Sequence, residues 1–317
     1  MENLVALSLV AVYSAMGVYT IAFILFTFDL AKRSAGRPAT AAVIGESTAQ
    51  QAGSVATAVR VTTDAAPTGA TRYQRVAFAL AVLGWVLHFG AVALRGIAAE
   101  RVPWANMFEF GLTATAMGMG VFLFAQFWKD LRFLGAYITG FTLLSLGIVT
   151  VNFYVDVVPT PPPLQSAWLV IHVLVATLAT AFFAIGAGLS VMQLLRTQRE
   201  MRKAEGLRFL DTLPGASTLE SLAYRVNVVG FVFWTFTLIA GAIWAERAWG
   251  RYWGWDTKEV WTFIIWTLFA GYIHARATRG WRGDRSAWLA IIGFSAVIFN
   301  YTIVNLFFKG LHSYSGL

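Results

Sequence analysis

Apolar residues run along this chain in stretches of about 20, separated by short polar turns. At 1.5 Å of rise per residue, about 20 helical residues cross the roughly 30 Å hydrocarbon layer of a bilayer. Each stretch therefore predicts one membrane-crossing helix. Eight are predicted, over about 4–28, 76–97, 107–128, 133–151, 166–195, 223–244, 258–275 and 286–308. The expected fold is all-α: a polytopic membrane helical bundle of about eight transmembrane helices, compact because several turns are short. No internal repeat is visible.

Charge fixes the expected orientation. No basic residue precedes the first run, and Lys32, Arg33 and Arg37 follow it, the reverse of a signal peptide's charged start. The first run is thus read as an uncleaved span with its N-terminus outside. Alternating from there places 18 of the 24 Lys and Arg in the inner connections, and the opposite orientation would leave six. Basic residues collect in cytoplasmic loops, so both termini are expected to be external. Three segments follow: a first transmembrane helix over 1–33, a flexible cytoplasmic linker over 34–75, and a seven-helix domain over 76–317. The linker is rich in Ala, Thr, Gly and Ser and lacks sustained apolar periodicity, as in disordered segments. A second long inner stretch, 196–222, carries a basic run that suits an interfacial helix.

Composition narrows the class further. Only 13% of residues are charged, against about a quarter in soluble domains. The net charge of +8 belongs to the inner loops, since no basic stretch is interleaved with soluble aromatics in the manner of a nucleic-acid binder. The chain has no cysteine, which excludes disulfides, thiolate metal sites and thiol exchange by its own groups.

The connection between the sixth and seventh predicted spans, residues 249–261, is external on this reading. It carries Trp249, Tyr252, Trp253, Trp255, Asp256, Lys258, Glu259 and Trp261 with two glycines between them. Trp and Tyr favour membrane interfaces, and a simple aromatic belt accounts for some of these rings. Closely set aromatics with small residues between them also make a flat apolar platform for a large planar ligand. Of the four histidines, His172 lies about six residues into the fifth span, roughly 9 Å below the outer surface, and His312 follows the eighth span. A lone membrane histidine is usually a packing residue. Two on the same side as an aromatic platform favour paired axial ligation of haem iron by neutral imidazole. His274 is near the cytoplasmic end of the seventh span, roughly 24 Å along the helix from Lys258. His88 is mid-span in the second helix. Each of these two is either a satisfied polar residue or part of a second, deeper haem site. Asn106 and Glu109 open the third span, where Asn106 with Pro103 suits a helix start; a porphyrin-facing role is the alternative. Arg95 and Arg101 suit phospholipid headgroups, with haem propionates as the alternative. Pro159–Pro163 reads as a stiff external connector.

Trp253-Gly254-Trp255-Asp256-Thr257-Lys258-Glu259-Val260-Trp261 resembles the tryptophan-rich WWD signature of haem-handling proteins. Together with Pro103–Glu109, Ser166–His172 and Gly310–Tyr314, it makes residues 76–317 similar to system II cytochrome c biogenesis proteins of the CcsA/ResC type, also labelled CcsB. The resemblance implies a subunit of a holocytochrome c synthase, a haem lyase, in the bacterial cytoplasmic membrane. With a ResB-type membrane subunit it would pass haem b outward and present it for thioether attachment to the Cys-x-x-Cys-His motif of apocytochrome c. Thioredoxin-like thiol reductants would take part indirectly. By that likeness His172 and His312 are the external axial ligands and the catalytic pair. Trp249, Trp253, Trp255, Asp256 and Trp261 form the haem-binding loop, His274 ligates a transmembrane haem, and His88 is a further haem-binding position. Thr257 stands where the family usually has proline. A cytochrome b-like electron-transfer subunit and a plain haem transporter are the alternatives from other functional classes.

Overall fold

The computed structural model describes residues 2–35, 71–157, 165–202 and 208–312. The protein is a polytopic helical bundle. Its long helices are α1 (Glu2–Ala35), α2 (Arg72–Ala99), α3 (Met107–Ala125), α4 (Gly135–Asn152), α5 (Ala167–Arg202), α6 (Ala216–Trp249), α7 (Thr257–Arg279) and α8 (Asp284–Tyr301), with a short α9 (Ile303–Phe307). All eight predicted spans are helices. Seven are long and apolar enough to cross a membrane, and α7 is the one that falls short on hydropathy. The linker, apart from its ends, and the Pro159–Pro163 connector lie outside the described residues.

Helix ends follow local chemistry. Asn106 caps α3 by accepting from the Glu109 amide at 2.9 Å, as expected of an Asn at that position. Thr71 caps α2 and accepts from the Gln74 amide, so the helix opens ahead of the apolar run. Asp256 and Glu259 form a reciprocal capping box at the start of α7. Thr257 is the first residue of α7, where proline would only pre-set φ; the box secures the turn without it. The basic run after the fifth span continues α5 to Arg202 instead of forming a separate interfacial helix. Arg196 and Arg199 on it pair with Asp211 at 2.7 and 2.9 Å.

Cross-helix bonds sort the helix ends into two faces. At one, Arg95 of α2 donates to the Val155 carbonyl after α4 at 2.6 Å. There too Tyr301 of α8 donates to the Met107 carbonyl of α3, and His312 meets Asp256. At the other, Arg33 near the end of α1 donates to the Gln74 side chain of α2 at 3.0 Å, Arg276 of α7 pairs with Glu220 of α6 at 3.2 Å, and Gln193 of α5 donates to the Gly283 carbonyl. Two apolar cores divide the bundle. One joins α1–α4, with Tyr19, Phe26, Phe108, Leu112 and Phe122 buried. The other joins α5–α8 around Phe183, Trp234, Phe269 and Tyr272.

Candidate functional site

Between these cores lies a cavity of about 490 Å³, lined by residues of α3 to α8 and by the 249–261 loop. That volume is in the range of sites for cofactor-sized ligands. Both His172 and His312 line it, although 140 residues separate them in the chain.

His172 is fixed by a close approach of two helices. Its Nδ1 lies 2.9 Å from the Thr237 carbonyl of α6. A carbonyl only accepts, so Nδ1 carries the proton and Nε2 holds the lone pair. Gly241, one turn on, makes the approach possible: a Cβ there would stand 2.7 Å from the imidazole Cε1 and 2.8 Å from Nδ1. The ring stacks on Trp244, with centroids 6.0 Å apart and planes 13° apart.

His312 comes from the tail beyond α9. Its Nδ1 is 2.8 Å from the Asp256 carboxylate. The same argument leaves the lone pair on Nε2, with the carboxylate fixing the tautomer and the ring's orientation. The His312 hydrogen bond is the main reason the Asp256 carboxyl is held below its ordinary value. Trp249 stands edge-on to His312 at 4.7 Å, and Trp244 contacts the same ring at 5.5 Å. The tail also binds Asp256 through the Leu311 amide at 3.3 Å.

The loop is clamped by Glu259, which accepts from the amides of Gly254 at 2.8 Å and Asp256 at 3.0 Å. Between those amides Trp255 takes a φ of 61°, a left-handed conformation that bulky side chains rarely adopt. Its ring is 74% exposed, so the clamp holds a large apolar group out to solvent. Trp253 lines the cavity and meets Trp255 edge-on at 5.8 Å. Trp261 packs instead on Phe299 of α8 at 4.4 Å.

The remaining histidines sit apart from this cavity. His88 is fully buried. Its Nε2 donates to the Leu112 carbonyl at 2.9 Å and its Nδ1 lies 3.5 Å from the Tyr19 hydroxyl, so both ring nitrogens have partners in the α1–α3 core. His274 is on the exposed face of α7, near the opposite end of the bundle. Arg95 and Arg101 do not face outward as headgroup contacts. They converge on the buried Glu109 at 3.2 and 2.5 Å, and Glu109 also accepts from the Ala105 amide. This cluster braces the 100–106 turn, whose Trp104 and Asn106 line the cavity.

Several lining residues were not singled out as site residues from sequence: Trp104, Trp234, Trp244 and Lys258. Trp244 sits in an apolar helix where a ring reads as lipid contact or core. Its spacing of five residues from Trp249 was the available signal.

A sequence model of the family described as "Cytochrome C assembly protein" matches residues 104–312. The "Cytochrome c biogenesis protein CcsA" of Guillardia theta is 34% identical over 70% of this chain and 80% of its own length. The protein of the same description from Synechococcus elongatus is 35% identical over 69% and 81%. The solved structure of "Cytochrome c Heme Lyase CcmF" superposes with a TM-score of 0.63 at 16% identity, covering 94% of this chain and 46% of that one. At that identity the likeness speaks for the fold alone. The chain belongs to the cytochrome c assembly protein family, and within it to the cytochrome c biogenesis proteins of the CcsA type.

Proposed function

We propose that this protein is the haem-handling subunit of a system II cytochrome c synthase. It holds haem b as substrate between His172 and His312 at the outer face of a bacterial cytoplasmic membrane. The observation that carries the reading is the pairing of these imidazoles at one cavity, each with Nδ1 engaged by an acceptor. Neutral imidazole with a free Nε2 is the usual haem-iron ligand. The apolar walls and Trp244 suit the porphyrin face, and the helices bring most of that surface out of water.

In this reading the protein acts mainly by positioning. His172 and His312 hold the iron, and the incoming histidine of apocytochrome c displaces one of them. Each cysteine S–H of the Cys-x-x-Cys-His motif then adds across a vinyl C=C. Sulfur bonds one carbon and the proton ends on the other, so no oxidant is consumed. The thiols come from the substrate and are kept reduced by thioredoxin-like proteins. A chain without cysteine cannot compete for the vinyls. The WWD loop, with Trp253 and the exposed Trp255, is the face presented to apocytochrome c, and the 76–317 segment is the haem-handling domain. A ResB-type subunit is the membrane partner and covers His274, which serves the transmembrane haem. His88, with both nitrogens engaged, would need to exchange a hydrogen bond to serve as a ligand. The basic end of the bundle is cytoplasmic, the opposite end and both termini are external, and the apolar flanks face membrane lipid.

The test is the absorption spectrum of protein purified with its membrane partner, together with cytochrome c maturation in cells. His172→Gly and His312→Gly should each lose the low-spin haem signal and maturation, and added imidazole should partly restore both. Full maturation in either variant would refute axial ligation by that residue.

A further inference from the structure

One end of the cavity contains polar atoms that the iron ligands do not use. Lys258, on the first turn of α7, lines the cavity. Its Nζ donates to the Asn300 carbonyl at 3.0 Å and to Asn305 Oδ1 at 2.6 Å. Both acceptors are neutral, and among the described residues no carboxylate lies within ion-pair distance of Nζ. An ammonium has three donors, so one N–H remains for a further acceptor. Asp256, the nearest carboxylate to act on it, is beyond ion-pair distance; a cation in a largely apolar cavity without a close counter-charge is costly, and an anionic ligand relieves that cost.

Asn106 gives a second, independent indication. It is 5% exposed and lines the same cavity. Its orientation is set by its capping role: Oδ1 accepts from the Glu109 amide, so the amino group points the other way. That Nδ2 is buried with no hydrogen-bond partner, a position that native structures seldom leave empty. Asn305 links the two groups, since it receives Lys258 on Oδ1 while its Nδ2 lies 3.5 Å from the sulfur of Met107, the residue after Asn106.

We propose that Lys258 Nζ and Asn106 Nδ2 form a carboxylate-binding subsite of the cavity, which takes a propionate of the porphyrin held by His172 and His312. The subsite rests on the haem reading above. It sets which edge of the ring lies against α7, and therefore how the vinyl edge is turned for attack. The arginines Arg95 and Arg101 are not its donors, because Glu109 holds both.

The experiment is a titration of the full chain, purified with its membrane partner and stripped of haem, with haem and with haem dimethyl ester. The ester keeps the iron and ring but has no carboxylates. Charge-assisted hydrogen bonds of this kind correspond to roughly ten- to a hundredfold in affinity, and wild type should prefer the free acid by about that factor. Lys258→Met should bind both forms alike while keeping the low-spin spectrum, which also shows that it is folded. Asn106→Asp keeps the helix cap but replaces the donor with a negative charge, and it should favour the ester. Equal binding of acid and ester by wild type, or an undiminished preference in Lys258→Met, would overturn the subsite while leaving a bis-histidine spectrum in place. Absence of any low-spin signal in wild type would overturn the haem reading, and the subsite with it.

Discussion

At the scale of single residues, the chemistry turns on which nitrogen of each imidazole is occupied. His172 is oriented by a neutral carbonyl and His312 by a carboxylate, so the two share a tautomer but differ in the charge behind the ring. Asp256→Asn keeps an oxygen for Nδ1 but removes the charge behind the ring. Losing such a partner typically lowers metal affinity 10–100-fold. Haem titration of Asp256→Asn should show a loss of about that size with a spectrum that stays low-spin, and unchanged affinity would mean that the carboxylate only anchors the tail. Both histidines were legible in the sequence because alternation of the spans placed them on one side. Lys258 was not, since a lysine at the start of an apolar helix reads as an interfacial anchor. Only the neighbouring Asn300 and Asn305 show that it points into a cavity.

Among elements, the decisive contact is between α5 and α6. Gly241 leaves the space in which His172 reaches the Thr237 carbonyl. Gly241→Ala should push the imidazole off that carbonyl, lowering haem affinity about tenfold while overpacking costs about 1–3 kcal/mol. Haem titration beside a thermal melt measures the two effects separately, and a normal titration would show that another contact orients the ring. Helix positions were legible from apolar run length, and the α3 start from Asn106. The partners of α2 and α3 were not. Arg95 and Arg101 are ordinary interfacial arginines in sequence, and only the fold reveals that Glu109 lies within reach of both. Periodicity likewise could not separate Trp261, packed against Phe299, from Trp253, which lines the cavity.

For the whole molecule, the two polar faces predict a sidedness that can be measured directly, since a chain without cysteine is a clean background for single-cysteine labelling. Tyr252 is 62% exposed on the loop face, and Lys129 is exposed at the opposite face. Tyr252→Cys should react with a membrane-impermeant maleimide in intact cells, and Lys129→Cys only after lysis. The reverse pattern would invert the orientation. The eight-helix plan and its charge asymmetry were legible because bilayer thickness fixes span length. The cavity was not, because it arises from how the α1–α4 and α5–α8 cores meet.

His312 reaches Asp256, Trp244 and Trp249 from a tail that follows every long helix. In biosynthesis, 140 residues must emerge between His172 and His312. At roughly 5–20 residues per second this takes about 7–28 s. A ribosome-bound intermediate in that interval has one half of the proposed pair and lacks the other. On the proposed ligation, a product terminated before His312 lacks one of the two imidazoles, and ligand capture reports that synthesis has passed that residue.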